Sequence, residues 1–144
     1  MLKAVLAVVI GYIATVAFVF ISFSIAYLTM GTELAFKPQS FEPSTLWVTT
    51  SFLLGFIAAV VGGFICATIA KQSRAPLVLA GLVLVLGILA TIPVLTASGP
   101  QEVRPGNLGN IEAMQKARQP AWVALLNPVI GALGVLAGAR LKRN

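Results

Sequence analysis

The sequence predicts an all-α fold, a polytopic membrane helical bundle with four transmembrane helices, on three observations. Of the 144 residues, 58% are hydrophobic and only 10% charged, against roughly 25% charged in a soluble domain. The apolar residues gather in four stretches, about 4–30, 46–70, 76–97 and 120–139, and none contains Lys, Arg, Asp or Glu. Each reaches the roughly 20 residues that a helix needs to cross hydrocarbon. So much apolar surface does not fit inside a small water-soluble core, because small domains leave much of their surface exposed. Lipid must be the solvent, and the length makes one domain, residues 1–144.

The first stretch begins after Lys3, and Ser24-Ile25-Ala26 has the small-residue spacing of a leader cleavage site. The apolar run is about twice a signal core of 7–15 residues, so an uncleaved helix is expected, ended by Gly31 in a left-handed cap. Pro43-Ser44-Thr45 precedes the second helix, where a hydroxyl can accept from its first free amides. Ser73-Arg74-Ala75-Pro76 reads as a tight turn, with Pro76 in the opening turn of the third helix. A connection this short predicts that the second and third helices lie antiparallel and side by side. Gly99-Pro100 ends the third, and Pro120 opens the fourth. Between them, Ile111, Met114 and Ala117 repeat every three residues, which suits a short helix on the membrane surface, an extension of the fourth helix or an ordinary loop.

Charge sets the expected orientation. The chain carries ten Lys plus Arg, four Glu and no Asp, for a net +6. Lys3, Lys71, Arg74, Arg140, Lys142 and Arg143 fall on one side of the bilayer with no acid. Lys37, Arg104, Lys116 and Arg118 fall on the other with Glu33, Glu42, Glu102 and Glu112. The Lys/Arg excess marks the cytoplasmic side, which places both termini there. Tyr27, Trp47 and Trp122 fall at the outer helix ends, the depth that amphipathic rings favour. The basic residues do not form a folded polar patch, so the bilayer is the partner they indicate and nucleic acid is not. The cluster after Ala139 reads as an anchor to anionic headgroups.

The second helix has the clearest internal pattern. Ser51, Gly55, Ala59, Gly63 and Ala67 lie four apart along one stripe, with Gly62, Cys66 and Ala70 beside it. The fourth helix repeats the device at Gly134 and Gly138, near Gly131. Small residues at this spacing let helix backbones approach closely, within a chain or between chains. Asn127-Pro128 interrupts the fourth helix. Proline removes a backbone bond and clashes with the preceding turn, so a kink is expected there, with Asn127 satisfying a freed carbonyl or reaching another helix. Tyr12, Thr15, Ser22 and Ser24 put hydroxyls along the first helix, where Ser and Thr usually bond back to their own backbone.

Chemistry leaves few marks. There is no histidine, which removes the commonest general base and metal ligand. The single Cys66 pairs with nothing internally and reads as a small packing residue. Glu33, the acid nearest a span, reads as a solvated charge. The sequence nominates no catalytic, cofactor-binding or metal-ligating residue and implies no cofactor. A non-enzymatic packing or accessory protein, associating with itself or another membrane protein, is the leading expectation. A small oligomeric transporter or channel comes second, and a membrane enzyme third. An enzyme or binder would be favoured by Glu33, Glu102, Glu112 and Arg104 clustering over one outer cleft.

The stretch Gly62-Gly63-Phe64-Ile65-Cys66-Ala67-Thr68-Ile69-Ala70-Lys71, its basic turn, and the ending Gly134 to Leu141 with Gly138-Ala139-Arg140 resemble small uncharacterised bacterial four-helix integral membrane proteins. The resemblance implies a bacterial inner membrane. It supplies no activity, substrate or site residue.

Overall fold

The computed structural model describes residues 2–71, 74–96, 103–104 and 106–143. Ser73, Gly99-Pro100, Glu102 and Pro105 lie outside the described residues. In chain order the helices are α1 (Leu2–Ala35), α2 (Thr45–Ala70), α3 (Ala75–Thr96), α4 (Asn110–Lys116) and α5 (Ala121–Arg143). Four of them, α1, α2, α3 and α5, are long and apolar enough to cross a membrane. Among the described residues the sole β feature is an isolated antiparallel bridge between Phe36 and Pro43.

The helix boundaries follow local chemistry. Ser44 is the N-cap of α2: its Oγ accepts from the Trp47 amide at 3.1 Å and donates to the Leu34 carbonyl. One hydroxyl thus caps α2 and ties it to the tail of α1. At the start of α3 the Arg74 carbonyl accepts from the amides of Leu77 and Val78, with Pro76 in the first turn where it removes no helical bond. Gly31 departs from expectation. It does not end α1 in a left-handed cap. It kinks the helix at φ 70°, ψ 170°, and helical structure resumes as far as Ala35. That backbone region is essentially reserved for glycine. The helix is continuous across Ser24–Ala26.

The packing order corrects a second expectation. α2 is the hub, packed along α1 on one side and α5 on the other, while α3 packs mainly on α5 and touches α2 and α1 only lightly. α2 and α3 are therefore neighbours at their turn and not along their length. The reason is that the closest backbone approaches of α2 are spent on α1 and α5, so α3 is left to lean on α5.

Two cores result. Ala7, Ala59, Cys66, Ala75, Leu79, Ala80 and Val135 are buried together in the half of the bundle that carries the termini. Tyr27, Ala35, Phe36, Phe41, Leu108 and Ala113 form a separate cluster over the opposite end. Bulky residues such as Ile13, Phe20, Leu53, Leu86 and Leu133 are exposed on the outer surface, the arrangement that a lipid solvent permits.

Candidate functional site

The intramembrane contact surface is built from small residues. A Cβ placed on Gly63 would overlap the Val135 carbonyl, and one on Gly138 would overlap the Val60 carbonyl. Gly134 presses on the Ala59 methyl and the Phe56 carbonyl, which a Cβ would meet at 2.7 and 2.9 Å. At these points α2 and α5 touch backbone to backbone, an approach that gains dispersion contacts unavailable from lipid. Ala59 and Ala67 are buried on the same helix. Ser51 is buried too and bonds back to the Val48 carbonyl at 2.8 Å.

Gly55 is the exception. A Cβ there would meet nothing within 4 Å, so the stripe does not pack along its whole length. Toward the end opposite the termini, the space between α2 and α5 is taken by the rings of Phe52 and Trp122, edge to face with centroids 6.2 Å apart. Rings of that size hold the backbones apart where glycines would have let them close.

A second small-residue contact was not anticipated. Gly62 abuts the Gly11 carbonyl and Thr15 of α1, and Gly11 in turn meets Cys66 and Leu79. The signal is Ala7, Gly11 and Thr15, which repeat every four residues along α1. Thr15 bonds back to the Gly11 carbonyl at 2.9 Å, keeping its hydroxyl satisfied at the contact. Cys66 is fully buried here. Ser22 also bonds back, to the Val19 carbonyl.

Pro128 lies within α5, which is helical from Ala121 to Arg143. Its ring packs into the notch at Gly87 of α3, where a Cβ would meet it at 2.6 Å. Asn127 is half-buried beside it in a shallow groove between α3 and α5. The groove holds about 280 Å³ and includes Ala90, Thr91, Gln119 and Ala124. Thr91 returns its hydroxyl to the Ile88 carbonyl at 2.7 Å. No side-chain hydrogen bond of Asn127 is found among the described residues, so its carboxamide does not bridge to a freed carbonyl as expected.

The capped end brings distant residues together. Arg104 is buried to 7% exposure. Its Nε donates to the Ser40 carbonyl, one terminal nitrogen to the Gly106 carbonyl, and the other to the Glu33 carboxylate at 3.2 Å. Its guanidinium lies 5.8 Å from the Phe36 ring centroid, a favourable cation–π distance. The Tyr27 hydroxyl donates to the Leu108 carbonyl and shares a hydrogen bond with Thr32. Trp47 sets its ring edge to face against Phe23 and Tyr27. Tyr27 and Trp47 therefore belong to a ring cluster, and Tyr27 is core rather than a membrane-interface anchor. Trp122 is exposed at 58%, with its ring edge to face against Phe52. α4 lies across this cluster with Ala113 buried and Ile111 and Met114 exposed. Asn110 reaches back to Ser24 of α1, donating from Nδ2 at 3.1 Å.

Glu33 and Arg104 thus meet, as an enzyme or binder would need, but Glu112 turns to Lys116 at 2.9 Å and Glu102 lies outside the described residues. Among the described residues no group of His, Cys, Asp or Glu is placed to hold a metal. The contacts of Arg104, Tyr27 and Ala113 at this end hold the loops against α1 and α2. No protein-family model, curated relative or solved structure matches the chain.

Proposed function

We propose that the chain is a multi-pass protein of a bacterial inner membrane, with both termini cytoplasmic, that works by association as a packing or accessory subunit. The orientation rests on the unequal charge of the two ends: the terminal end carries only cations, the cytoplasmic signature. The bacterial setting rests on the sequence resemblance alone.

The observation that carries the association reading is the groove between α3 and α5. It leaves the Asn127 carboxamide without a side-chain bond at membrane depth, flanked by the small residues Ala90 and Ala124. A polar group left dry is unfavourable in hydrocarbon, and a helix from a second copy or another membrane protein would supply its partner. Such a contact contributes about 0.6–2 kcal/mol in membranes. The alternative, a small oligomeric transporter, draws on the same groove: Gln119, Asn127 and Thr91 would line a path once copies assembled.

The test is cysteine crosslinking in native membranes with Ala90→Cys in a Cys66→Ala background, and Leu53→Cys as a control on the opposite helix pair. Oxidation should give a crosslinked band from position 90 that Asn127→Leu weakens. Its mass identifies a homodimer or a heterologous partner. A protein that crosslinks equally from position 53, or from neither position, sinks the reading. Uptake of a solute by reconstituted vesicles, lost with Asn127→Leu, would favour transport.

A further inference from the structure

At the terminal end, the inner ends of α2, α3 and α5 diverge around a crevice of about 1250 Å³. Four cations line it: Lys71 and Arg74 from the α2–α3 connection, and Arg140 and Lys142 from the last turns of α5. No salt bridge engages any of the four among the described residues, whereas Glu33, Glu42 and Glu112 at the capped end each hold a cation. The wall of the crevice is apolar, with Leu77 on one side and Leu136 on the other.

Helix electrostatics account for only part of this cluster. Lys71, Arg140 and Lys142 sit at helix C-termini, where the macrodipole favours positive charge. Arg74 precedes the N-terminus of α3, where the dipole disfavours it. Its placement adds positive potential to a crevice that already holds three cations, an arrangement that an anion would relieve. The depth is also informative. α2 ends at Ala70 and α3 begins at Ala75, so the cations lie where a spanning helix leaves hydrocarbon for the headgroup layer.

We infer that this crevice is a binding site for the phosphate headgroup of an anionic phospholipid, with Lys71, Arg74, Arg140 and Lys142 holding the phosphate and the wall of Leu77 and Leu136 receiving the start of an acyl chain. Cationic pockets between helix ends suit multiply charged lipid heads. The apolar wall separates this ligand from free phosphate, which would use the cations alone. The site differs from the α3–α5 groove, which lies toward the capped end, and it does not depend on whether the protein associates.

The experiment measures lipid binding to the purified full chain by native mass spectrometry and by thermal stability. Nanodiscs contain phosphatidylcholine alone or with cardiolipin or phosphatidylglycerol, and inorganic phosphate is a separate arm. Anionic phospholipid should remain bound and raise the melting temperature. Each cation removed should lower its affinity about fivefold, the factor expected for one basic residue at a headgroup surface. The variant Lys71→Gln/Arg74→Gln/Arg140→Gln/Lys142→Gln should lose retention while melting normally in phosphatidylcholine. Lys3→Gln removes one cation at the same end without touching the crevice and should change retention much less than Arg140→Gln. Equal losses from those two single variants would mean generic surface attraction and overturn the site. So would equal stabilisation by phosphatidylcholine, or the full effect from inorganic phosphate alone.

Discussion

The two ends of this bundle are held by different physics. Toward the termini, helices meet through glycines: Gly63 against Val135, Gly138 against Val60, and Gly62 against Gly11. Beyond those contacts the helix ends open on cations that no salt bridge engages among the described residues. Toward the other end, rings keep the helices apart, and a cap assembled from residues far apart in sequence closes the gap. There the charges are paired, Arg104 with Glu33, Lys37 with Glu42 and Lys116 with Glu112. An end built from backbone contact has no room to adjust, whereas an end built from side chains relaxes around a change. At the terminal end no acid among the described residues pairs with the cations, so their charge remains available to an external anion.

The largest effect should therefore come from Gly63→Leu. Its side chain would need the space held by the Val135 carbonyl, which is backbone and has nowhere to go. Overpacking a fitted core costs about 1–3 kcal/mol and occasionally more, and a backbone clash belongs at the upper end. Melting in mild detergent should fall far more than with Phe64→Leu one residue later, on an exposed face. A Gly63→Leu protein as stable as the parent would mean that α2 and α5 are not in backbone contact.

Next should come Arg104→Ala at the capped end. The substitution removes the donor from the half-buried Ser40 carbonyl, at roughly 1–3 kcal/mol for a buried acceptor left unpaired, and strips the cation from Phe36, while water can replace the donor at the exposed Gly106 carbonyl. Glu33→Gln touches the same ion pair from its exposed side and should cost below about 1 kcal/mol, as surface pairs do. The asymmetry is the prediction. Limited proteolysis of the 103–118 segment should rise sharply with Arg104→Ala and barely with Glu33→Gln. Equal sensitivity would mean that the ion pair, and not the carbonyl contacts, holds the cap.

Much of this architecture was legible because hydropathy is local. Four charge-free runs of sufficient length can be counted along the chain, and Ser44 announces α2 through a bond three residues away. The cap was not legible, because its members come from residues 27–47 and 103–117 and no period links them. Arg104 is named by the sequence only as a possible partner of Glu33, Glu102 and Glu112 over an outer cleft, and burial is what shows it to be the centre of the cap. The lateral order of the helices was hidden for a related reason. A short turn guarantees that α2 and α3 are close at one point, but the small residues of α1 and α5 decide what lies along α2. Ala7, Gly11 and Thr15 carried that information at the same four-residue spacing as the stripe on α2.

A smaller loss should follow Tyr27→Phe. The ring would still pack with Phe36 and Trp47, while the bonds to Thr32 and the Leu108 carbonyl would vanish. One buried hydrogen-bond partner removed in this way costs about 1 kcal/mol. Thermal melting should shift modestly, and amide exchange should quicken near Leu108 and leave the Gly63 region unchanged. Exchange that quickened equally at both ends would show that the two halves melt as one unit.

The smallest effect should be Gly55→Leu, and it separates the two halves most cleanly. By spacing alone Gly55 and Gly63 are equivalent: both belong to the stripe from Ser51 to Ala67, two helical turns apart. Eight residues at about 1.5 Å each put them roughly 12 Å apart along the axis, and over that distance the neighbour of α2 changes from a carbonyl to open space. A leucine at 55 meets no protein atom near its Cβ and replaces a glycine in a helix interior, where glycine is disfavoured by about 1 kcal/mol relative to alanine. Its melting temperature should stay level or rise slightly. A fall as large as that of Gly63→Leu would mean that the position is covered in the membrane, either by a tighter α2–α5 contact or by a second molecule. Repeating the measurement at high dilution in detergent separates those two. A loss that disappears on dilution belongs to a contact between chains, and one that persists belongs to the bundle itself.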